Sequence, residues 1–179
     1  MNTSAPLAQG YDARTRALHW LTAALVIGLW SLGQTIDWFP KGSLRAIARS
    51  THIAFGVVLA LVLIRRIWWR FTDGVHVPRA PGSTVDTIAG LTHKLLYLLL
   101  VATVLLGIAN AWIRGDTVFM LLKIPALYPG NADLKELVED WHSWAANTLL
   151  IVAGLHAAGA LLHHFVLKDD ILQRMLPRR

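Results

Sequence analysis

Four long apolar tracts constrain this chain more than any other feature. They run roughly from Ala17 to Ile36, Ile47 to Trp69, Ile88 to Ile113 and Trp141 to Leu167. Each approaches the ~20 residues that an α-helix needs to cross a bilayer. Turn-rich polar segments separate them: DWFPKGSLR, FTDGVHVPRAPGSTVD and RGDTVFMLLKIPALYPGNADLKELVED. The expectation is an all-α integral membrane four-helix bundle, a single domain over residues 1–179. The last connecting segment has room for a short surface helix within residues 117–138.

Charge agrees with that reading. Only 16% of residues are charged, against about 25% in an average globular chain. Several of the eight Trp stand near the ends of apolar tracts, as in the aromatic belt of a membrane protein. The net charge of +6 does not point to nucleic acid, because the Lys and Arg flank apolar tracts and form no helical stripe between them. They read as topology signals. Arg14 and Arg16 before the first tract resemble the start of a signal peptide, but the tract is long for one and no small-residue cleavage site follows. A retained helix is expected.

Orientation follows from where the Lys and Arg fall. With the N-terminus in the cytoplasm, eleven of the 17 lie on that side, including Arg14, Arg16, Arg65, Arg66, Arg70 and Lys94. Six face the other way: Lys41, Arg45, Arg49, Arg114, Lys123 and Lys135. Both termini should therefore be cytoplasmic, in a bacterial inner membrane.

Histidine carries the chemistry. Cysteine is absent, which removes disulfides, thiolate metal sites, Fe–S clusters and covalent haem attachment. An ionisable side chain at bilayer depth is costly and usually faces a partner inside the bundle. His19 stands near the inner end of the first helix, His52 near the outer end of the second and His93 near the inner end of the third. On the fourth, His142 is outer and His156 lies 14 residues further in, about 21 Å along the axis and within about 40° of the same direction. His163, seven residues further, shares that face.

Two layers result, His52 with His142 outside and His19 with His156 inside. Two imidazoles from different helices suit a flat metal macrocycle with iron bound on both faces, built in the bundle interior. Two layers imply two haems. A single buried histidine is more often structural than a ligand, but four in matched layers reverse those odds. Zinc asks for three or four converging donors, and a proton relay asks for carboxylates that the spans almost lack. Of the glycines in the tracts, Gly56, one turn after His52, is expected to clear room for a porphyrin edge.

The stretches ALHWL, STHIAFG, AGLTHKLLYLLL and WHSWAANTLLIVAGLHAAGALLHHF, with NAWIRG and the ending KDDILQRMLPRR, resemble the bacterial cytochrome b561 family over nearly the whole chain. The likeness is strongest to its small stand-alone members, superoxide oxidases that pass electrons from superoxide to ubiquinone. It implies two haem b groups, the inner on His19 and His156 and the outer on His52 and His142. It implies a supporting place for His93, beside a propionate or an axial ligand. His76, in a turn-rich loop, is expected to be an ordinary solvated histidine.

An electron would then enter at the outer haem, move to the inner one and leave to a quinone. Superoxide is an anion, so Arg45, Arg49 and Arg114 are the expected cations of its approach. His163 is the first candidate for a quinone contact, with His164, Lys94, His93, Arg14 and Arg16 at similar depth. The expected partners are lipid, superoxide and quinone, with no nucleic acid and no obligate protein. The alternative is a haem-carrying anchor subunit serving a hydrogenase- or formate-dehydrogenase-type partner. A haem-based sensor is a weaker reading, since it would usually leave one axial position open.

Overall fold

Helix α1, Ala13–Thr35, starts where Asp12 caps it, its carboxylate accepting a hydrogen bond from the Thr15 N–H at 2.8 Å. These coordinates come from a computed structural model that describes residues 10–74 and 84–176. A short 3-10 turn, Ile36–Trp38, then Pro40 and Gly42 (φ +121°) reverse the chain into α2, Ser43–Thr72. Gly42 sits in backbone territory that other residues avoid. Arg45 fastens this turn, donating to the carbonyls of Asp37 and Phe39 and pairing with the Asp37 carboxylate at 3.2 Å. Helix α3 spans Thr84–Arg114 and α4 spans Ala132–Leu162.

All four helices are long and apolar enough to cross a membrane. At ~1.5 Å per residue even the shortest, α1 with 23 residues, covers the ~30 Å hydrocarbon core. The helices form two antiparallel pairs, α1 with α2 and α3 with α4, joined by α2–α3 and α1–α4 contacts. Leu29, Leu59, Leu63, Leu100 and Leu149 make one small buried core drawn from all four. Ile27, Leu61, Leu98 and Leu155 face outward and stay largely exposed. In water that surface would drive aggregation; in acyl chains it costs nothing.

One end of the bundle holds the start of α1 and the end of α4, and is called here the terminal end. The opposite end carries a β-hairpin, β1 (Thr117–Val118) antiparallel to β2 (Leu122–Lys123), in register Thr117 with Lys123. The short surface helix expected within 117–138 does not form. Thr117 and Val118 favour extended backbone, Pro125 and Pro129 lack the N–H a helix needs, and Gly115 and Gly130 adopt positive φ. Residues 132–138 instead begin α4, nucleated by Asn131, whose side chain accepts from the Leu134 N–H. Helix α4 thus starts nine residues before Trp141, on a polar run that no apolar criterion detects. The hairpin is latched to α2 by Ser50, only 1% exposed, whose hydroxyl accepts from the Phe119 N–H at 2.9 Å.

At the terminal end α4 widens into a π-helical turn, His163–Leu167. Lys168 then adopts a left-handed conformation (φ +54°) and the chain folds back. A 3-10 turn, Gln173–Met175, is strapped to α1 by the Trp20 indole and the Arg16 guanidinium, which donate to the carbonyls of Met175 and Leu176.

Candidate haem sites

The four expected ligand histidines come together as two pairs. At the hairpin end, His52 of α2 and His142 of α4 have ring centroids 6.2 Å apart and planes inclined by 83°. At the terminal end, His19 of α1 and His156 of α4 are 6.4 Å apart and inclined by 77°. A metal midway between two imidazoles, with bonds of about 2.0 Å, sets the centroids roughly 6.4 Å apart. Edge-to-face rings in direct contact span about 4.5–7 Å, so these separations admit an iron between the rings without by themselves requiring one. His93 of α3 lies 5.1 Å from His156, a contact of neighbours with no space for an ion between.

The hydrogen bonds of the rings fit ligation in part. His142 Nδ1 lies 3.0 Å from the Thr103 carbonyl; donating there leaves Nε2 as the free lone pair. His52 Nδ1 is buried and makes no hydrogen bond of good geometry, the ring lying beside the Leu29 backbone. His93 Nδ1 contacts the Ala89 carbonyl one turn back at 2.5 Å. Among the described residues no three His, Cys, Asp or Glu side chains form a cage for a small ion. The donor set suits a planar macrocycle that supplies its own equatorial nitrogens.

Glycine makes space for the rings. A Cβ at Gly107 would stand 3.0 Å from His142 Cε1, and one at Gly33 would stand 3.3 Å from His52 Cε1. Both glycines let an imidazole approach a neighbouring helix. Gly56, expected to clear a porphyrin edge, has nothing within 4 Å of where its Cβ would be, so a side chain there would enter open space.

Arg66 of α2 was legible only as a topology charge, yet its guanidinium lies 3.1 Å from His19 Nδ1 and 5.1 Å from the Tyr97 ring centroid. It lines a cavity of about 440 Å³ with His19, His93, Lys94, Tyr97 and Met175. A guanidinium only donates. If His19 binds metal through Nε2, Nδ1 carries the proton, and Arg66 must turn to another acceptor.

The three cations expected to guide an anion are not equivalent. Arg45 is committed to the α1–α2 turn. Arg49 and Arg114 converge on Asp116, at 3.9 and 3.8 Å, and Arg114 also pairs with Glu139. Burial pushes the Asp116 carboxyl above the usual range, while Arg114 and Arg49 pull it back. At the other end, His163 Nδ1 lies 2.5 Å from Asp169 Oδ2, and His164 packs against Phe165. Arg14 lies over the Trp69 ring. His76 falls outside the described residues.

The model of the prokaryotic cytochrome b561 family matches residues 10–178. The chain belongs to that family. Among curated relatives, the "probable superoxide oxidase CybB" of Yersinia pestis is 33% identical over 172 residues, covering 94% of this chain and 97% of the relative. "Cytochrome b561 homolog 1" of Escherichia coli (strain K12) is also 33% identical, covering 90% and 94%. "Cytochrome b562" of Cereibacter sphaeroides is 30% identical, covering 95% and 97%. As a cytochrome b561 family member the chain is a haem b protein of membrane electron transfer, and the paired histidines are the residues fit to hold haem.

Proposed function

We propose that this cytochrome carries two haem b groups and oxidises superoxide to oxygen at the hairpin end while reducing ubiquinone at the terminal end. One observation carries the reading: α4 presents His142 and His156 on one face, and each meets a histidine of another helix at a spacing that admits a twice-ligated iron. His52 and His142 would hold one haem, His19 and His156 the other. Haem, when bound, supplies a one-electron ferric–ferrous couple. The 14 residues between His142 and His156 set the axial interval at about 21 Å, so the two sites stand toward opposite membrane faces.

Two superoxide ions yield two oxygen molecules and two electrons, and ubiquinone takes those electrons with two protons from water to become quinol. Arg49 and Arg114 draw the anion to the hairpin end, their field moderated by Asp116 and Glu139. Arg66 and Lys94 answer the carboxylates of the terminal-end haem, and His163 contacts the quinone. Both termini lie in the cytoplasm, which places the superoxide side in the periplasm of an inner membrane.

The purified cytochrome, pulsed with superoxide in the presence of a short-chain ubiquinone, should show rapid haem reduction followed by quinol. If neither appears and the protein instead co-purifies with a hydrogenase-like partner that reduces its haem, it is an anchor subunit and the proposal fails.

A further inference from the structure

We propose that Asp169 is a positioning residue for quinone reduction: its carboxylate fixes the His163 ring so that Nε2 faces the quinone and delivers protons that arrive from water. The inference rests on the reading of His163 as the quinone contact.

The fold goes out of its way to make this pair. His163 lies seven residues beyond His156, about 10 Å further along α4 and within about 20° of the same face. There the helix changes from α to π, a departure that recurs at functional sites. Lys168 closes it in the left-handed region, a conformation that residues with a Cβ rarely adopt and that persists only where surrounding contacts impose it. The N–H groups of Lys168 and Asp169 both donate to the His163 carbonyl. This reversal returns the chain to its own last turn and brings Asp169 Oδ2 to 2.5 Å from His163 Nδ1. The other carboxylate oxygen accepts from the Ile171 N–H at 3.1 Å. Both oxygens are engaged, which distinguishes the pair from a loose surface contact.

Chemistry assigns the roles. Ubiquinone accepts two electrons and two protons, and acyl chains supply no protons. The His163 side chain is 19% exposed and that of Asp169 37%, so the carboxylate is the more open of the two groups. With Nδ1–H donated to Asp169, Nε2 is the only nitrogen left to address a quinone oxygen. The carboxylate, held below the usual range chiefly by that hydrogen bond, stays ionised and keeps the proton of the ring on Nδ1. Each proton leaves His163 Nε2 for a quinone oxygen and is replaced from water; two such transfers, with two electrons arriving through haem, complete the quinol. Asp169 takes no proton itself. Its work is tautomer, orientation and charge, the division of labour that an aspartate shows behind a catalytic histidine.

An exposed ion pair with a merely structural role is worth little and would leave quinone kinetics alone. The test uses the full haem-loaded chain in detergent, reduced with dithionite and mixed with ubiquinone-1 in a stopped-flow spectrometer, so it does not depend on superoxide. Haem content of each variant reports folding. Asp169→Asn should slow haem reoxidation at saturating ubiquinone-1 by about a hundredfold, with the half-saturating concentration changed less than about twofold. Asp169→Glu should recover most of the rate. His163→Gln should slow the step at least as much, and adding Asp169→Asn to it should change nothing further. If His163→Gln is slow while Asp169→Asn matches the unmodified protein, Asp169 has no positioning role. If both match it, His163 does not contact the quinone and the underlying reading falls. Equal loss in Asp169→Asn and Asp169→Glu with loss of haem would make the pair structural and overturn the proposal.

Discussion

The Arg66 guanidinium reaches across from α2 to His19 of α1, Nη2 to Nδ1, at 3.1 Å, at the depth of one of the two histidine pairs. A fixed cation beside a haem favours the ferrous state, which carries one positive charge less. Arg66→Gln should therefore lower one of two midpoint potentials, by on the order of 50 mV for a unit charge several ångströms away in a partly screened site. The other potential should stay where it was. A redox titration followed by absorbance resolves the two. A shift shared equally by both haems would mean that Arg66 acts on the whole bundle and not on the terminal-end site.

Gly107 and His142 make a second, steric test. With only 3.0 Å between a built Cβ and His142 Cε1, Gly107→Ala requires the ring or α3 to give way. It should reduce or spectrally shift the hairpin-end haem while leaving the terminal-end haem intact. Gly33→Ala, with 3.3 Å to His52 Cε1, should do so more weakly. His142→Ala should remove the same haem altogether, and His156→Ala the other one, as counted by pyridine haemochrome. Were neither histidine variant to change the haem count, the assignment of the pairs would be wrong.

Much of this was readable from the chain because period and depth are one-dimensional. A 14-residue interval on a helix gives both distance and direction, so the pairing of His142 with His52 and of His156 with His19 follows without coordinates. What escaped is what depends on a chain folding back on itself. Asp169 lies six residues after His163 and meets it only because a π turn and a left-handed Lys168 reverse the backbone. Arg66 looked like one more flanking charge, since nothing in a hydropathy pattern says which way a guanidinium turns. The hairpin in 117–123 was hidden by its apolar tip, FMLL, which reads as well as a surface helix until Ser50 is seen to hold Phe119.

That tip carries strain that can be measured. Phe119 and Met120 adopt φ of 51° and 60°, with the Leu121 N–H closing the turn on the Val118 carbonyl at 3.0 Å. Tight hairpin turns of this hand normally use Asn or Gly. Met120→Gly should raise the melting temperature in detergent by a few degrees, since relief of a left-handed side chain is worth roughly 1 kcal/mol. Ser50→Ala should lower it, because the Phe119 N–H then loses its acceptor, the hydroxyl of the buried Ser50. A Met120→Gly protein that melts lower would show that the Met side chain contributes more by contact than its backbone costs.

Asp116 faces both Arg49 and Arg114, so on the proposed function it sets the charge that incoming superoxide would meet. Asp116→Asn should free the two guanidinium groups and speed haem reduction by pulsed superoxide several-fold at low salt, with a steeper loss of rate as ionic strength rises. The same carboxylate leaves a mark on stability. Burial holds its pKa above the ordinary value, so the folded protein binds this proton more readily than the unfolded chain does. Its contribution to stability is present below the unfolded pKa and is lost as pH rises through the folded pKa. Thermal melts across the acid range should show that decline, and Asp116→Asn should flatten it. A variant with unchanged superoxide kinetics and an unchanged pH profile would remove Asp116, and with it the Arg49–Arg114 pair, from the path of the anion.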